Sequence, residues 1–351
     1  MPKPNTRPVA IWLFICCGMV FVTAVLGAIT RLTGSGLSIT DWKPLMGTLP
    51  PLNAAAWAKA FTAYQAIPQY QILNRGMTLA EFKEIYFWEW LHRFCDRLIG
   101  AVFAIPFIYF LWRGTIAPRL ALKLAAIFFL GGLQGFVGWF MVESGLAVRT
   151  SVSPYRLALH LGLAVLLYAL MLWAGLRLYS EKPKQTAVPS AVSASVASRL
   201  RISGWLVLAL LSITMIWGAF VAGLHAGEAY NTWPLMEGEI IPGAAWTLRP
   251  TWINAFENLA LVQFIHRWLG PLTLLAVLGW VSLRWRRATG TDRSWCASLG
   301  AMAFLQVGLG LATLLSHAEI TLATLHQAGA LTLLTLLLIN LSRLPSKTLQ
   351  R

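Results

Sequence analysis

The chain has 351 residues, 57% hydrophobic and only 12% charged, with a mean hydropathy of +0.64. Soluble domains carry roughly twice that charged fraction, so an ordinary soluble protein is excluded. The net charge of +15 raises nucleic acid as a partner, but the basic residues cluster on one side of the apolar segments, which excludes it in favour of a membrane.

Eight apolar runs are each long enough to cross about 30 Å of hydrocarbon as a helix, which takes roughly 20 residues. The first, 10–31, could be taken for a signal peptide. Its stretch from Val9 to Ile29 is too long for the apolar core of such a peptide, so a retained helix is expected. Cys16 and Cys17 lie inside it, and Cys95 and Cys296 also fall in or beside helices, so no loop disulfide is expected.

A long loop follows, from Leu32 to Trp88. A loop of that length inside a compact protein needs structure of its own. "NAAAWAKAFTAY" (53–64) predicts an amphipathic helix, and "TLAE" (78–81) a capping box opening a short one. Spans at 90–112, 121–142 and 156–178 complete a first four-helix unit, 1–179. Residues 180–200, "SEKPKQTAVPSAVSASVASRL", read as a linker rich in Pro, Ser and Ala. The second unit, 201–351, has spans at 203–225, 260–284, 295–316 and 321–342.

With the N-terminus in the cytoplasm, 17 of the 28 Lys and Arg residues fall on that side against two acids, Glu181 and Asp292. This is the positive-inside pattern, and it places both termini and the linker in the cytoplasm.

The chain matches itself at four places in the same order. "TDWKPLMGTLPP" (40–51) pairs with "NTWPLMEGEIIP" (231–242), and "EWLHRFCDRLIG" (89–100) with "QFIHRWLGPL" (263–272). "LQGFVG" (133–138) pairs with "LQVGLG" (305–310), and "LALHLG" (157–162) with "LATLHQAG" (322–329). The expected architecture is therefore an all-α integral membrane protein of eight transmembrane helices in two four-helix bundles. An even helix count per unit makes them parallel repeats.

Four of the six histidines, His92, His160, His266 and His326, occupy repeat-matched positions. One membrane histidine alone reads as a hydrogen-bonded packing residue; two per bundle at matched depth point to a ligand set. Paired imidazoles from facing helices suit the two axial positions of a haem iron. Zinc would need four close ligands, commonly with cysteine among them. Arg93 and Arg267, each following a histidine, are candidates for pairing with haem propionates, with snorkelling to headgroups as the simpler alternative. Glu89 breaks the symmetry. It lies one turn before His92, while its counterpart is Gln263, which points to chemistry in the first half and electron transfer in the second. Asp96 is expected to pair with Arg93 or Arg97, and His225 and His317 to sit at the membrane interface.

With "RLTGSGLSITDWKPLMGTLPP" (31–51), "EWLHR" (89–93), "NTWPLMEG" (231–238) and "FIHRWLG" (264–270), the chain resembles the haem A synthase family over about 10–342. The absence of loop cysteine pairs aligns it with the proteobacterial and mitochondrial branch. The resemblance implies an oxidoreductase that converts the ring methyl of haem O to a formyl group, giving haem A for cytochrome c oxidase. It further implies haem b held as cofactor by His266 and His326, the haem O substrate held by His92 and His160, and Glu89 as the catalytic carboxylate. Implied partners are haem O, haem O synthase, an electron acceptor and membrane lipid; a homo-oligomer is compatible. A bacterial inner membrane is favoured over the mitochondrial one. The alternative is a di-haem b-type cytochrome acting only in electron transfer; a transporter using its histidines as proton relays is a further rival.

Overall fold

Inside a bilayer every backbone N–H and C=O must be satisfied within the segment, so apolar runs of this length become helices. The computed structural model describes residues 6–41, 46–147, 149–179 and 194–344. Residues 180–193 of the expected linker, and Lys3, Lys347 and Arg351 of the chain ends, lie outside the described residues.

Eight helices are long and apolar enough to cross a membrane. They are α1 (Arg7–Leu32), α4 (Leu79–Trp112), α5 (Pro118–Leu146), α6 (Pro154–Tyr179), α7 (Ala194–Gly223), α9 (Leu259–Trp285), α10 (Thr291–Leu315) and α11 (Ile320–Ser342). Shorter helices α2 (Ala54–Gln65), α3 (Pro68–Ile72) and α8 (Asn254–Glu257) lie in the connecting loops. No strand is present among the described residues, only one isolated bridge between Met236 and Glu239. Large apolar side chains such as Ile105, Phe129, Leu122 and Phe304 stay exposed on the long helices. In water such surface would aggregate; in lipid it is the solvated face.

Of the described residues, 15–168 form one compact unit, and 6–14 with 169–344 the other. In the first, the cap over the helix ends is built locally. Asn53 caps α2 by accepting from Ala56 N at 2.8 Å. Thr78 and Glu81 form the reciprocal capping box that the sequence signals. That box, however, opens α4 itself rather than a separate short helix. Nothing between Leu79 and Trp90 interrupts helical geometry, so α4 runs for 34 residues. At about 1.5 Å per residue it is far longer than the hydrocarbon layer, and its first three turns stand clear of it. Leu37, Tyr64, Ile67, Phe82 and Tyr86 form a buried cluster around those turns. The cap thereby fixes the segment of α4 that carries Glu89.

In the second unit α7 packs against α9, α9 against α10, α10 against α11 and α11 against α7, a closed four-helix ring. Its core includes Val277, Trp280, Cys296, Leu299, Leu334, Leu337 and Leu338. Two buried polar ties cross it. Thr214 Oγ1 and Thr273 Oγ1 lie 2.8 Å apart. Near the far end Arg284 bonds Asn340, whose Nδ2 donates to Trp295 O at 3.0 Å.

Candidate functional site

Each unit contains a pair of histidines on neighbouring or facing helices, and all four rest against a glycine of an adjacent helix. A Cβ on Gly27 of α1 would lie 2.9 Å from His92 Cε1, and one on Gly138 of α5 would lie 3.0 Å from His160 Cε1. In the second unit Gly218 of α7 faces His266 at 3.1 Å, and Gly310 of α10 faces His326 at 2.8 Å. In each case the imidazole occupies the space that any larger residue would fill. These four contacts give each of the four glycines a steric reason. Neither Gly27 nor Gly218 stood out in the sequence, although each follows a threonine by four residues, Thr23 and Thr214.

Those threonines matter through their backbone. His92 Nδ1 lies 3.1 Å from Thr23 O, and His266 Nδ1 lies 3.1 Å from Thr214 O. A helix carbonyl only accepts, so Nδ1 carries the proton in both rings. Nε2 keeps its lone pair, the state in which imidazole ligates a metal. The second member of each pair meets a glutamine. Gln306 Nε2 lies 3.1 Å from His326 Nδ1 and donates to His326 O at 2.9 Å. Gln134 repeats this on His160 at 3.1 Å to each atom, and also sits 3.4 Å from the ring Nε2. The nitrogen end of each amide thus finds its partner in a histidine, while Gln134 Oε1 and Gln306 Oε1 are buried with no partner among the described residues.

In the second unit the two rings face each other, with centroids 6.3 Å apart and planes at 80°. A metal–imidazole bond of about 2 Å on each side, with the ring radii added, spans roughly 6 Å. Such a separation would suit two imidazoles that hold one metal ion between them. No group of three or more His, Cys, Asp and Glu converges among the described residues; two imidazoles per unit would suit a haem iron. In the first unit Asp96 Oδ2 lies 3.7 Å from His92 Nε2, a contact the sequence did not anticipate.

Glu89 is buried, and three donors converge on it. Ser38 Oγ lies at 2.7 Å, Ile39 N at 2.8 Å and Arg93 Nη2 at 2.6 Å. Arg93 Nη2 also donates to Ile39 O at 3.0 Å. The Glu89–Arg93 pair therefore clamps the start of the long loop onto α4. Gln263 and Arg267 do the same in the second unit with opposite polarity. Gln263 Nε2 donates to Ala226 O at 2.7 Å and also to Ala229 O. Arg267 donates to Tyr230 O at 2.6 Å and Leu235 O at 3.0 Å. Both arginines, read from the sequence as propionate partners, are engaged with loop carbonyls. His225, with φ of 55°, ends α7 and lies 3.0 Å from Glu228, and His317 takes a left-handed φ of 57° in the turn after α10.

The cytochrome oxidase assembly protein family, COX15-CtaA, matches residues 10–338. The chain belongs to this family. A heme A synthase of Rhodospirillum centenum is 56% identical over 332 residues, 94% of this chain and 87% of its own length. Heme A synthases of Bradyrhizobium sp. and Nitrosomonas eutropha are 47% and 46% identical, covering 98% and 94% of this chain and 93% and 92% of theirs. The match takes in both histidine pairs and both loop clamps, so the COX15-CtaA family extends over the whole candidate site.

The glycine contacts give a graded test. Gly310→Ala places a methyl 2.8 Å from His326, whereas Gly218→Ala places one 3.1 Å from His266. The first forces the ring to move and the second barely does, because contacts below about 3 Å lie on the repulsive wall. Gly310→Ala is expected to shift the absorption and electron paramagnetic resonance of bound haem more than Gly218→Ala. Equal shifts would mean that the ring positions are not set by these contacts.

Proposed function

We infer that this multi-pass membrane protein is a haem A synthase, an enzyme of haem A biosynthesis. The near full-length likeness to relatives of that name supports it, and the observation that carries it to particular residues is the facing His266–His326 pair. We propose that these two hold a resident haem b, and that His92 and His160 hold the haem O substrate. On this reading the units are parallel repeats, divided at the 180–200 linker, with both termini cytoplasmic in a bacterial inner membrane. Haem O synthase and an electron acceptor are the proposed partners. The proposed reaction is oxidation of the haem O ring methyl to a formyl group.

Bound haem supplies the redox chemistry. The chain's own residues do the rest. The Thr23 and Thr214 carbonyls keep Nδ1 of His92 and His266 protonated, so that Nε2 faces the ligand. Glu89, its oxygens already occupied by three donors, acts by fixed negative charge, stabilising positive charge that develops as the methyl is oxidised. Arg93 and Arg267 fasten each loop over its site and exclude water.

The test is pigment extraction and absorption spectroscopy on the purified protein. A b-type haem accompanied by haem O or haem A is the expected result. Colourless protein would sink the reading, and two b-type haems with no haem O or A would favour the electron-transfer cytochrome.

A further inference from the structure

One cavity lies outside the histidine pairs and their clamps, in the first unit where α5 turns into α6. It measures about 470 Å³ and is lined by Glu143, Ser144, Ala147, Arg149, Ser153 and Arg156. Arg156 stands four residues before His160 on α6, one helical turn nearer the α5–α6 connection on the same helix face. Across from it on α5, Phe140 stands two residues beyond Gly138, the glycine against which His160 rests. Arg156 Nη1 donates to Phe140 O at 2.6 Å, and its guanidinium stacks on the Phe140 ring at 3.6 Å. A guanidinium has five N–H donors. One is used for this anchorage, and the side chain reaches the cavity already oriented.

We propose that this cavity receives a propionate carboxylate of the porphyrin held in the first unit, with Arg156 as the binding residue and Arg149 as a second cation. The proposal rests on the assignment of His92 and His160 to the substrate. Two arginines against the single carboxylate of Glu143 leave the lining cationic, and guanidinium binds carboxylate through paired hydrogen bonds. Arg93, nearer in sequence to a histidine, is already committed to Glu89 and Ile39 O.

The matched positions of the second unit carry no arginine. The residue four before His326 is Leu322, and the position of Ser153 is taken by Glu319. Glu319 caps α11 by accepting from Thr321 N at 2.9 Å and Leu322 N at 2.8 Å. These bonds hold its carboxyl below the usual carboxylate range. The cation of Arg156 thus has no counterpart at the matched position of the second unit, where a carboxylate caps the helix instead, so the cationic lining belongs to the unit whose ligand must arrive and leave.

The experiment uses the full-length purified protein with its resident haem, titrated with haem O and with haem O dimethyl ester, in which both propionates are neutral. The wild type is expected to prefer the free acid. Arg156→Leu is expected to lose about tenfold in affinity for haem O, the worth of one charge-assisted hydrogen bond, and little for the ester. Arg156→Lys recovers part of the loss. Unchanged b-type absorbance reports an intact fold. A preference for the free acid that persists undiminished in Arg156→Leu overturns the proposal and leaves the cavity to another anion, such as a lipid phosphate. Equal loss of both forms overturns it as well. A wild type that takes up no haem beyond the resident one instead overturns the assignment of His92 and His160 on which the proposal rests.

Discussion

Alanine at His266 or His326 is expected to strip the b-type absorbance from the purified protein, whereas alanine at His92 leaves it in place. The two rings face each other at 6.3 Å, so each would supply one of two axial bonds, and neither has a substitute nearby. Changing only an outer partner of a metal ligand commonly lowers affinity about 10- to 100-fold; removing the ligand itself exceeds that. Among the described residues no third His, Cys, Asp or Glu gathers with the pair to replace the lost imidazole. Reduced-minus-oxidised spectra of the variants provide the measurement. If His92→Ala emptied the b-type signal while His326→Ala kept it, the two units would exchange roles. Gln306→Leu provides an intermediate case. It leaves both imidazoles but removes the amide from His326 Nδ1, so the haem stays and its spectrum shifts.

The parts of the molecule legible in the sequence are those where lipid leaves the chain little choice. Twenty apolar residues in a row become a helix, and all eight spans fall where the apolar runs are. The histidines were legible because a doubled chain marks them twice. The loop clamps were not. Ile39 N, Ile39 O, Ala226 O and Tyr230 O are backbone groups, and the sequence does not reveal which backbone groups a buried side chain reaches. For the same reason the bonds of Arg93 and Arg267 to loop carbonyls were not legible. The residues after Thr78 read as a short helix of the loop, separate from the span at 90–112. Helical propensity and the Thr78 capping box nonetheless carry α4 straight through them. Nor did the sequence show which glycines an imidazole of another helix lies against.

The largest single effect on activity is expected at Glu89. Glu89→Ala is predicted to abolish haem A formation while keeping the b-type haem, but the carboxylate also holds the fold. It is 2% exposed and paired with Arg93 at 2.6 Å. Removing one partner of a buried pair costs about 3–5 kcal/mol, so Glu89→Ala alone would lower stability and activity together. Two further variants separate the roles. Glu89→Gln keeps the shape and removes the charge; a purely mechanical clamp would survive it in part, since Gln263 performs that task in the second unit. If charge is what the reaction needs, Glu89→Gln is as inactive as Glu89→Ala. Ser38→Ala removes one donor to the carboxylate but leaves its charge, at a cost of about 1 kcal/mol, and is expected to retain most activity. In the double variant Glu89→Ala with Arg93→Met, the stranded cation is gone. Thermal unfolding followed through the b-type haem is then expected to return toward the wild type without any return of haem A. Recovery of haem A in that double variant would show that Glu89 serves the loop alone.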